Sequence, residues 1–483
     1  MARAHFAIVA AAAAAFTGLA VVSWPLPTVI LGGVALLVGV TFATRERLLV
    51  HVRSAPWAWE LILLPTLLSL RIFNLRYTLV LVVAVVVALL ATSEPLPGRS
   101  LTRRWVMVSI AVMFLPVVLR PASMETALVP PLVVTLLTVS ARRRTHHAVI
   151  HSLVDGLGLY LILNVLAYAA GMRSPNADIR VGGLESLGGD ERIFYPLASG
   201  LAIPAILAAA YLAAAILWFE GRAVRRFFRI LGMGAAVVVL AGADARASIA
   251  IASLIVVCAA GTPRSLARIG TSLTTGALTF VFIFPLLAKP IVQPALTWTL
   301  STLPFLSRGD TQADVGLNGR EYIWSQSTHF WTERVEGWRA LLGYGTYGQH
   351  VSGASWSYAS QVAGLSADPR SISVHNSLLQ QLYDAGLMGA AAFAVVALFT
   401  THALGRGVLA KERGSVYGLA VLLAILLASM TEVILAPGFA QEPLFVMLGV
   451  TVSLCCQPRS PRDCEQFLGH GRVAVTESMA KGL

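Results

Sequence analysis

Residues 374–402 read VHNSLLQQLYDAGLMGAAAFAVVALFTTH, and the fold turns on that run. It carries one acid, Asp384, and no Lys or Arg. About 20 apolar residues cross a bilayer as a helix, so this run is long enough to span. Working outward, runs of the same quality fall at 6–22, 27–43, 57–72, 77–92, 105–119, 126–140, 148–170, 196–218, 230–243, 247–261, 271–288, 415–434 and 442–456. Several are shorter than a full span, which brackets the count at about twelve to fourteen. The expected fold is an all-α polytopic membrane protein.

Composition agrees. A soluble chain of 483 residues would divide into about three domains. Counted with Gly and without Tyr, however, the apolar share is about 63%, against roughly 45–50% in soluble domains. Charged residues make up 12%, about half the usual share. Mean hydropathy is +0.74. The net charge of +12 suits either nucleic-acid binding or membrane orientation, and its placement separates the two.

The segments between apolar runs alternate in charge. The N-terminus, 44–56, 93–104, 141–147, 220–229, 262–270, 403–414 and the tail from Gln457 together carry 23 Lys and Arg. The alternate short segments carry seven: Arg71, Arg76, Arg120, Arg173, Arg180, Arg192 and Arg246. Basic loops stay in the cytoplasm. Both termini are therefore expected inside, and the 85-residue segment 289–373 outside. The basic excess flanks membrane segments, so no nucleic-acid partner is expected. Cys258, Cys455, Cys456 and Cys464 fall near the cytoplasmic side, so no exported disulfide is expected. The Ala-rich start reads as a retained first helix rather than a cleaved signal. The chain thus divides into a scaffold, 1–240; a central region, 241–402, containing the outer loop; C-terminal helices, 403–456; and a tail, 457–483.

The outer loop is too long for a plain connection. It contains Trp298, Trp324, Trp331, Trp338 and Trp356, half of the chain's ten Trp, and its acids and bases balance. Gly319–Leu342 reads as one helix, with Asn318 as N-cap and Glu321 completing a capping box. Trp324, Thr328, Trp331, Val335, Trp338 and Leu342 form a stripe at helical spacing. The stripe is either an interfacial anchor or core, or a platform for sugar rings or a lipid-linked substrate.

Four polar features stand out beside it. Arg320 begins that helix and suits either a salt bridge or a phosphate, whose oxygens match the guanidinium fork. Gly343-Tyr344-Gly345-Thr346-Tyr347-Gly348 is a compact turn without the setting of a nucleotide loop. Ser373 is the expected cap of the next helix, which puts His375 in its first turn. The helix dipole there favours the neutral imidazole that a general base needs. Arg246, between two apolar runs, either pairs with Asp244 or serves function. Asp155 and Asp384 are structural or line a cavity. No zinc spacing, Walker motif or Rossmann motif is present, so no metal and no cofactor are expected.

The run Asn318-Gly319-Arg320-Glu321-Tyr322-Ile323-Trp324 is followed by Gly343-Tyr344-Gly345, His375-Asn376-Ser377-Leu378-Leu379 and Tyr383-Asp384-Ala385-Gly386-Leu387-Met388-Gly389. In that order they resemble the signature block of the O-antigen ligase/polymerase superfamily of bacterial envelope glycan enzymes. Arg246 is similar to that family's Ser-Arg-small motif, with Ala245 where the family has Ser. The likeness covers about 240–400. It implies a membrane glycosyltransferase of the GT-C type in the bacterial inner membrane, working on the outer face. Such an enzyme transfers a glycan from an undecaprenyl-diphosphate carrier to an acceptor hydroxyl, with inversion and without a metal. By the resemblance, Arg246 and Arg320 hold the diphosphate and His375 acts on the acceptor. Arg192, Arg339, Arg120, Glu432, Asn376, Trp324, Trp331 and Trp338 are further substrate-binding candidates. The partners implied are the lipid-linked donor, a glycan or lipid-glycan acceptor, and the bilayer.

A polytopic transporter or flippase is the alternative, supported by Asp155, Asp384 and Arg246 within apolar runs. Against it, polar weight gathers in the aromatic loop rather than at the bilayer midplane. A scaffold without activity leaves the Arg, His and Trp of the loop unexplained.

Overall fold

The computed structural model describes residues 101–121, 146–172, 193–198, 202–216, 223–243, 246–261, 263–287, 293–302, 319–362, 372–439 and 442–455, with isolated positions between them. The runs at 6–22, 27–43, 57–72 and 77–92, most of 126–140, and the tail 457–483 lie outside the described residues. Among the described residues the regular structure is helical, without a strand.

The helices are α1 (Leu101–Leu119), α2 (His146–Ala169), α3 (Ala202–Ile216), α4 (Ala223–Gly242), α5 (Arg246–Gly261), α6 (Pro263–Leu287) and α7 (Gln293–Thr302). They continue with α8 (Arg320–Arg334), α9 (Gly337–Leu342), α10 (Gly348–Val351), α11 (Ala354–Val362), α12 (Ser377–Leu409), α13 (Arg413–Ala428) and α14 (Glu442–Cys455). Three are long and apolar enough to cross a membrane: Val149–Ala169 in α2, Arg264–Phe284 in α6, and α12. Shorter apolar helices lie within α3, α5, α13 and α14.

Helix α3 shows how the bundle packs. It is apolar on every side, the pattern of a helix enclosed by others. Ala205, Ala208, Ala210, Ala213 and Ala214 are fully buried, and their small side chains let α2, α4 and α13 approach. Tyr211 is the large exception. Its ring fits against two glycines: a Cβ at Gly158 would lie 2.8 Å from it, and one at Gly232 would lie 2.5 Å from its hydroxyl. Several polar groups inside the bundle are paired across helices, which lowers the cost of burying them. Arg229 on α4 donates to Asp155 on α2 at 3.2 Å, Thr274 meets Thr401 at 3.0 Å and Thr400 meets Thr451 at 2.8 Å. Asp155 therefore has a structural partner.

Helix α12 is the hub, packed against α1, α6, α9, α13 and α14. It is broken at Gly386, where φ is 66° and ψ −165°. The break strips the carbonyls of Tyr383 and Asp384 of their intrahelical donors, and buried carbonyls need replacements. The Gly-rich turn supplies them: Tyr344 N–H donates to Tyr383 O at 2.8 Å and Gly345 N–H to Asp384 O at 2.9 Å. The approach is so close that only glycine fits. A Cβ on Gly343 would sit 2.5 Å from the Asp384 backbone, and one on Gly386 would strike the Leu341 carbonyl. Beyond Gly386, the 23 residues to Leu409 rise about 35 Å, more than a hydrocarbon core of roughly 30 Å. The polar residues Asn376, Ser377, Gln380, Gln381 and Asp384 all precede the break.

The expected single helix Gly319–Leu342 is two helices, α8 and α9. Val335 is extended (φ −97°, ψ 111°) and Gly337 has φ 58°, so the stripe of Trp324 to Leu342 does not continue across them. The capping box is also absent. Gly319, left-handed at φ 81°, occupies the N-cap without a side-chain cap. The Glu321 carboxylate instead accepts from Gln293 of α7 at 3.1 Å. Asn318 lies outside the described residues.

Candidate functional site

Three segments meet at the start of α12. The first is α8, whose opening residue Arg320 forms an ion pair through Nη2 with Glu432. Trp324, one turn on, has no exposed surface. Its ring stands edge-on to Phe280 and Phe284 of α6, at 5.5 and 4.8 Å. A buried indole N–H needs an acceptor, and Trp324 Nε1 finds Val374 O at 2.9 Å and His375 O at 3.3 Å. Trp324 thereby ties α8 to the second segment. Tyr383 reinforces the tie by donating to Ser327 O at 2.6 Å, and Trp331 stands edge-on to the Tyr383 ring at 5.4 Å.

The second segment is 372–377. Burial pushes the Tyr358 phenol above its ordinary range, and this hydroxyl donates to Ile372 O at 3.4 Å. Ser373 was the expected helix cap, but Asn376 takes that place, its Oδ1 accepting from Leu379 N–H at 3.0 Å. Asn376 is fixed from its other end, where Nδ2 donates to Met430 O at 2.9 Å. His375 therefore precedes the cap and is not in the first turn. Its φ is 47°, a left-handed conformation that costs a non-glycine residue about 1–2 kcal/mol. The Trp324 and Asn376 bonds on either side hold it there.

The third segment is the loop after α13. Ser377 anchors it: Ser377 N–H donates to Ser429 O at 2.9 Å, and its hydroxyl donates to Glu432 O at 2.9 Å. The same hydroxyl accepts from Ile434 N–H at 3.0 Å and Leu435 N–H at 3.1 Å. This latch delivers Glu432, whose second carboxylate oxygen stands 3.5 Å from His375 Nδ1. That distance is long for a hydrogen bond and short for an electrostatic contact. Glu432 thus reaches both Arg320 and His375, and all three side chains are about a quarter to a third exposed.

Chemically, a carboxylate on the Nδ1 side of an imidazole favours the tautomer with the proton on Nδ1 and leaves Nε2 as acceptor. Arg320 uses Nη2 on Glu432; the rest of its fork has no protein partner among the described residues and can meet an anion. Among the described residues no group of three or more His, Cys, Asp or Glu converges as a metal site.

A second group lies beside the Gly386 break. Arg120, just past α1, places its guanidinium 4.6 Å from the Trp338 ring centre, and Arg339 places its own at 4.1 Å. Arg339 also lies 4.9 Å from the centre of the Tyr344 ring. The candidate residues therefore fall into two clusters: Arg320, His375, Asn376, Glu432 and Trp324 form one, and Arg120, Trp338 and Arg339 the other. Trp331 packs on Tyr383. Trp324 is core, with no ring face open to a sugar, and Trp338 carries guanidinium groups. Arg246 is the first residue of α5, with its side chain outside what is described, and Arg192 and Asp244 lie outside the described residues. Sequence reasoning missed Ser377, whose latch reaches more than fifty residues along the chain, and the helix break at Gly386. Gly386 itself was the only local signal for the break, and no local pattern announces the latch. The chain matches no family model, no curated protein and no solved structure.

Proposed function

We propose that the chain is a bacterial inner-membrane glycosyltransferase resembling the O-antigen ligases and polymerases. It would move a glycan from a polyprenyl-diphosphate carrier to an acceptor hydroxyl. The observation that carries this reading is the convergence of Arg320, His375 and Glu432 from three separate segments. His375 Nε2 takes the proton of the acceptor hydroxyl as its oxygen attacks the anomeric carbon from the face opposite the diphosphate. The new glycosidic bond forms, and the bond from the anomeric carbon to the diphosphate oxygen breaks. The diphosphate departs with the electron pair. Charge grows on that leaving oxygen, where a preorganised guanidinium lowers the barrier. Arg320 fills this role through its uncommitted donors, with Arg246 as its expected companion. Glu432 orients the imidazole and steadies its charge. Positive-inside counting supports an outward-facing site, with both termini in the cytoplasm and GT-C-like helices around it.

The test supplies purified protein in lipid nanodiscs with a polyprenyl-diphosphate oligosaccharide and candidate acceptors. The expected result is a new glycosidic bond and released polyprenyl diphosphate. Passage of intact donor across vesicles with no new bond would overturn the reading in favour of a flippase. That alternative rests on intramembrane acids, yet Asp155 is engaged with Arg229, and Asp384 accepts from Gly348 N–H and Gln380 at 2.8 Å each.

A further inference from the structure

Two guanidinium groups over one indole make an unusual grouping. Arg120 and Arg339 both stand over Trp338, so their charges are separated by at most the sum of 4.6 and 4.1 Å. Like charges so close repel. An acid between them would relieve this, but among the described residues neither guanidinium meets a carboxylate. Arg320, by contrast, has Glu432.

The grouping is also firmly built. Arg120 O accepts from Thr346 N–H at 3.1 Å, and Gly345 lies so close that a Cβ there would strike the Arg120 side chain. Arg339 O accepts from Gly343 N–H at 2.8 Å. The turn that caps the broken carbonyls of α12 therefore also fixes both arginine backbones. Stacking on Trp338 and Tyr344 orders the side chains while leaving their N–H edges for another ligand. Trp338 remains 50% exposed and Arg120 is exposed.

Position completes the argument. Tyr344 and Gly345 bind α12 at Tyr383 and Asp384, seven to eight residues beyond the Asn376 cap. At about 1.5 Å per residue this is roughly 11 Å along the helix. It also lies at the end of α1 and just before the apolar stretch of α12 begins. Paired arginines and a half-exposed Trp at the boundary of an apolar helical layer meet lipid headgroups.

We propose that Arg120 and Arg339, ordered by Trp338 and Tyr344, form a phosphate-binding site for a lipid-borne phosphate, separate from the Arg320–Glu432–His375 cluster. The chemistry is common to the diphosphate of a polyprenyl carrier and the phosphodiester of a bilayer phospholipid. The choice of the carrier rests on the transferase reading; the site itself does not. If a polyprenyl carrier occupies it, the carrier is that of a lipid-linked acceptor, whose hydroxyl lies a glycan's length from its diphosphate; the donor's diphosphate belongs at Arg320, where the bond to it breaks.

The full-length protein in phosphatidylcholine nanodiscs is titrated with inorganic pyrophosphate and with farnesyl diphosphate, and binding is read by calorimetry. Arg120→Gln with Arg339→Gln is expected to weaken both by about tenfold or more. Arg334→Gln, which removes a guanidinium that lies over Phe330 alone, leaves both within about twofold. Trp338→Ala weakens binding while preserving both charges, because the guanidinium groups lose their order. Replacing part of the phosphatidylcholine by phosphatidylglycerol separates the sources: competition identifies a bilayer phospholipid, and tight farnesyl diphosphate binding without competition identifies the carrier. Equal affinity of wild type and the double glutamine variant, with unchanged melting temperature, overturns the site. Phosphate binding without glycan transfer removes the transferase and leaves the site standing. Transfer with unchanged binding in the variant removes the site alone.

Discussion

Arg320 and Glu432, 112 residues apart in the chain, form an ion pair at the entrance to α8, and the second oxygen of Glu432 faces His375 Nδ1 at 3.5 Å. One carboxylate thereby positions both side chains to which the proposed transfer assigns anion binding and proton acceptance. Glu432→Gln keeps the shape and removes the charge. Transfer should fall by roughly 10–100-fold, mainly in kcat, because His375 loses its orienting partner. Steady-state rates with donor and acceptor varied in turn check this; a variant with wild-type kcat would remove the orienting role.

His375→Asn is the cleaner probe of the base itself. Asn tolerates the left-handed backbone found at φ 47°, so the fold should survive. A missing general base costs about 10²–10⁴-fold. Full activity in this variant would require another proton acceptor. His375→Val should behave differently. A β-branched residue is strained at that φ by about 1–2 kcal/mol, so the melting temperature drops as well as the rate.

Trp324→Ala should be among the more destabilising single changes, by about 3–5 kcal/mol, because a fully buried indole leaves a cavity against Phe280 and Phe284. Trp324→Phe fills most of that space but leaves Val374 O without its donor. Its expected cost is about 1–3 kcal/mol. Denaturation in detergent micelles gives both values, and an equal loss for Ala and Phe would show that the N–H rather than the ring matters.

Glycine replacements separate backbone strain from collision. Gly319→Ala and Gly345→Ala both place a side chain at positive φ, 81° and 86°. Nothing lies within 4 Å of the new methyl group at Gly319, whereas at Gly345 it meets Arg120. The first should cost about 1–2 kcal/mol. The second should cost clearly more and should detach the turn from α12. Melting temperatures of the two proteins test the ordering, and equal values would contradict the packing.

The apolar runs made the helical membrane character legible, because a spanning segment has to be apolar along its whole length. Arg320 and His375 were legible as residue types in a patterned stretch. The break at Val335 was not, since the 4-3-4 spacing of aromatic and apolar residues runs straight across it; Gly337 was the only warning. Ser373 and Asn376 are comparable caps by type, and the choice falls to Asn376 because Met430 O receives its amide. Trp324 and Trp338 occupy the same stripe on paper. One fills the space beside α6 and the other carries two guanidinium groups, a difference made by neighbours remote in sequence. Glu432 was marked through the resemblance only as a substrate-binding candidate; its pairing with Arg320 and His375 comes from the Ser377 latch, which no local pattern announces.

That latch also fixes the order of events during synthesis. The Ser377 hydroxyl is bonded to Glu432, Ile434 and Leu435, all made after α13. A nascent chain can insert α12 and shelve Arg320 and His375 beside it, yet the trio remains incomplete until Leu435 has left the ribosome. In the proposed transferase, a chain released any earlier is expected to give no transfer, however well its preceding helices have packed.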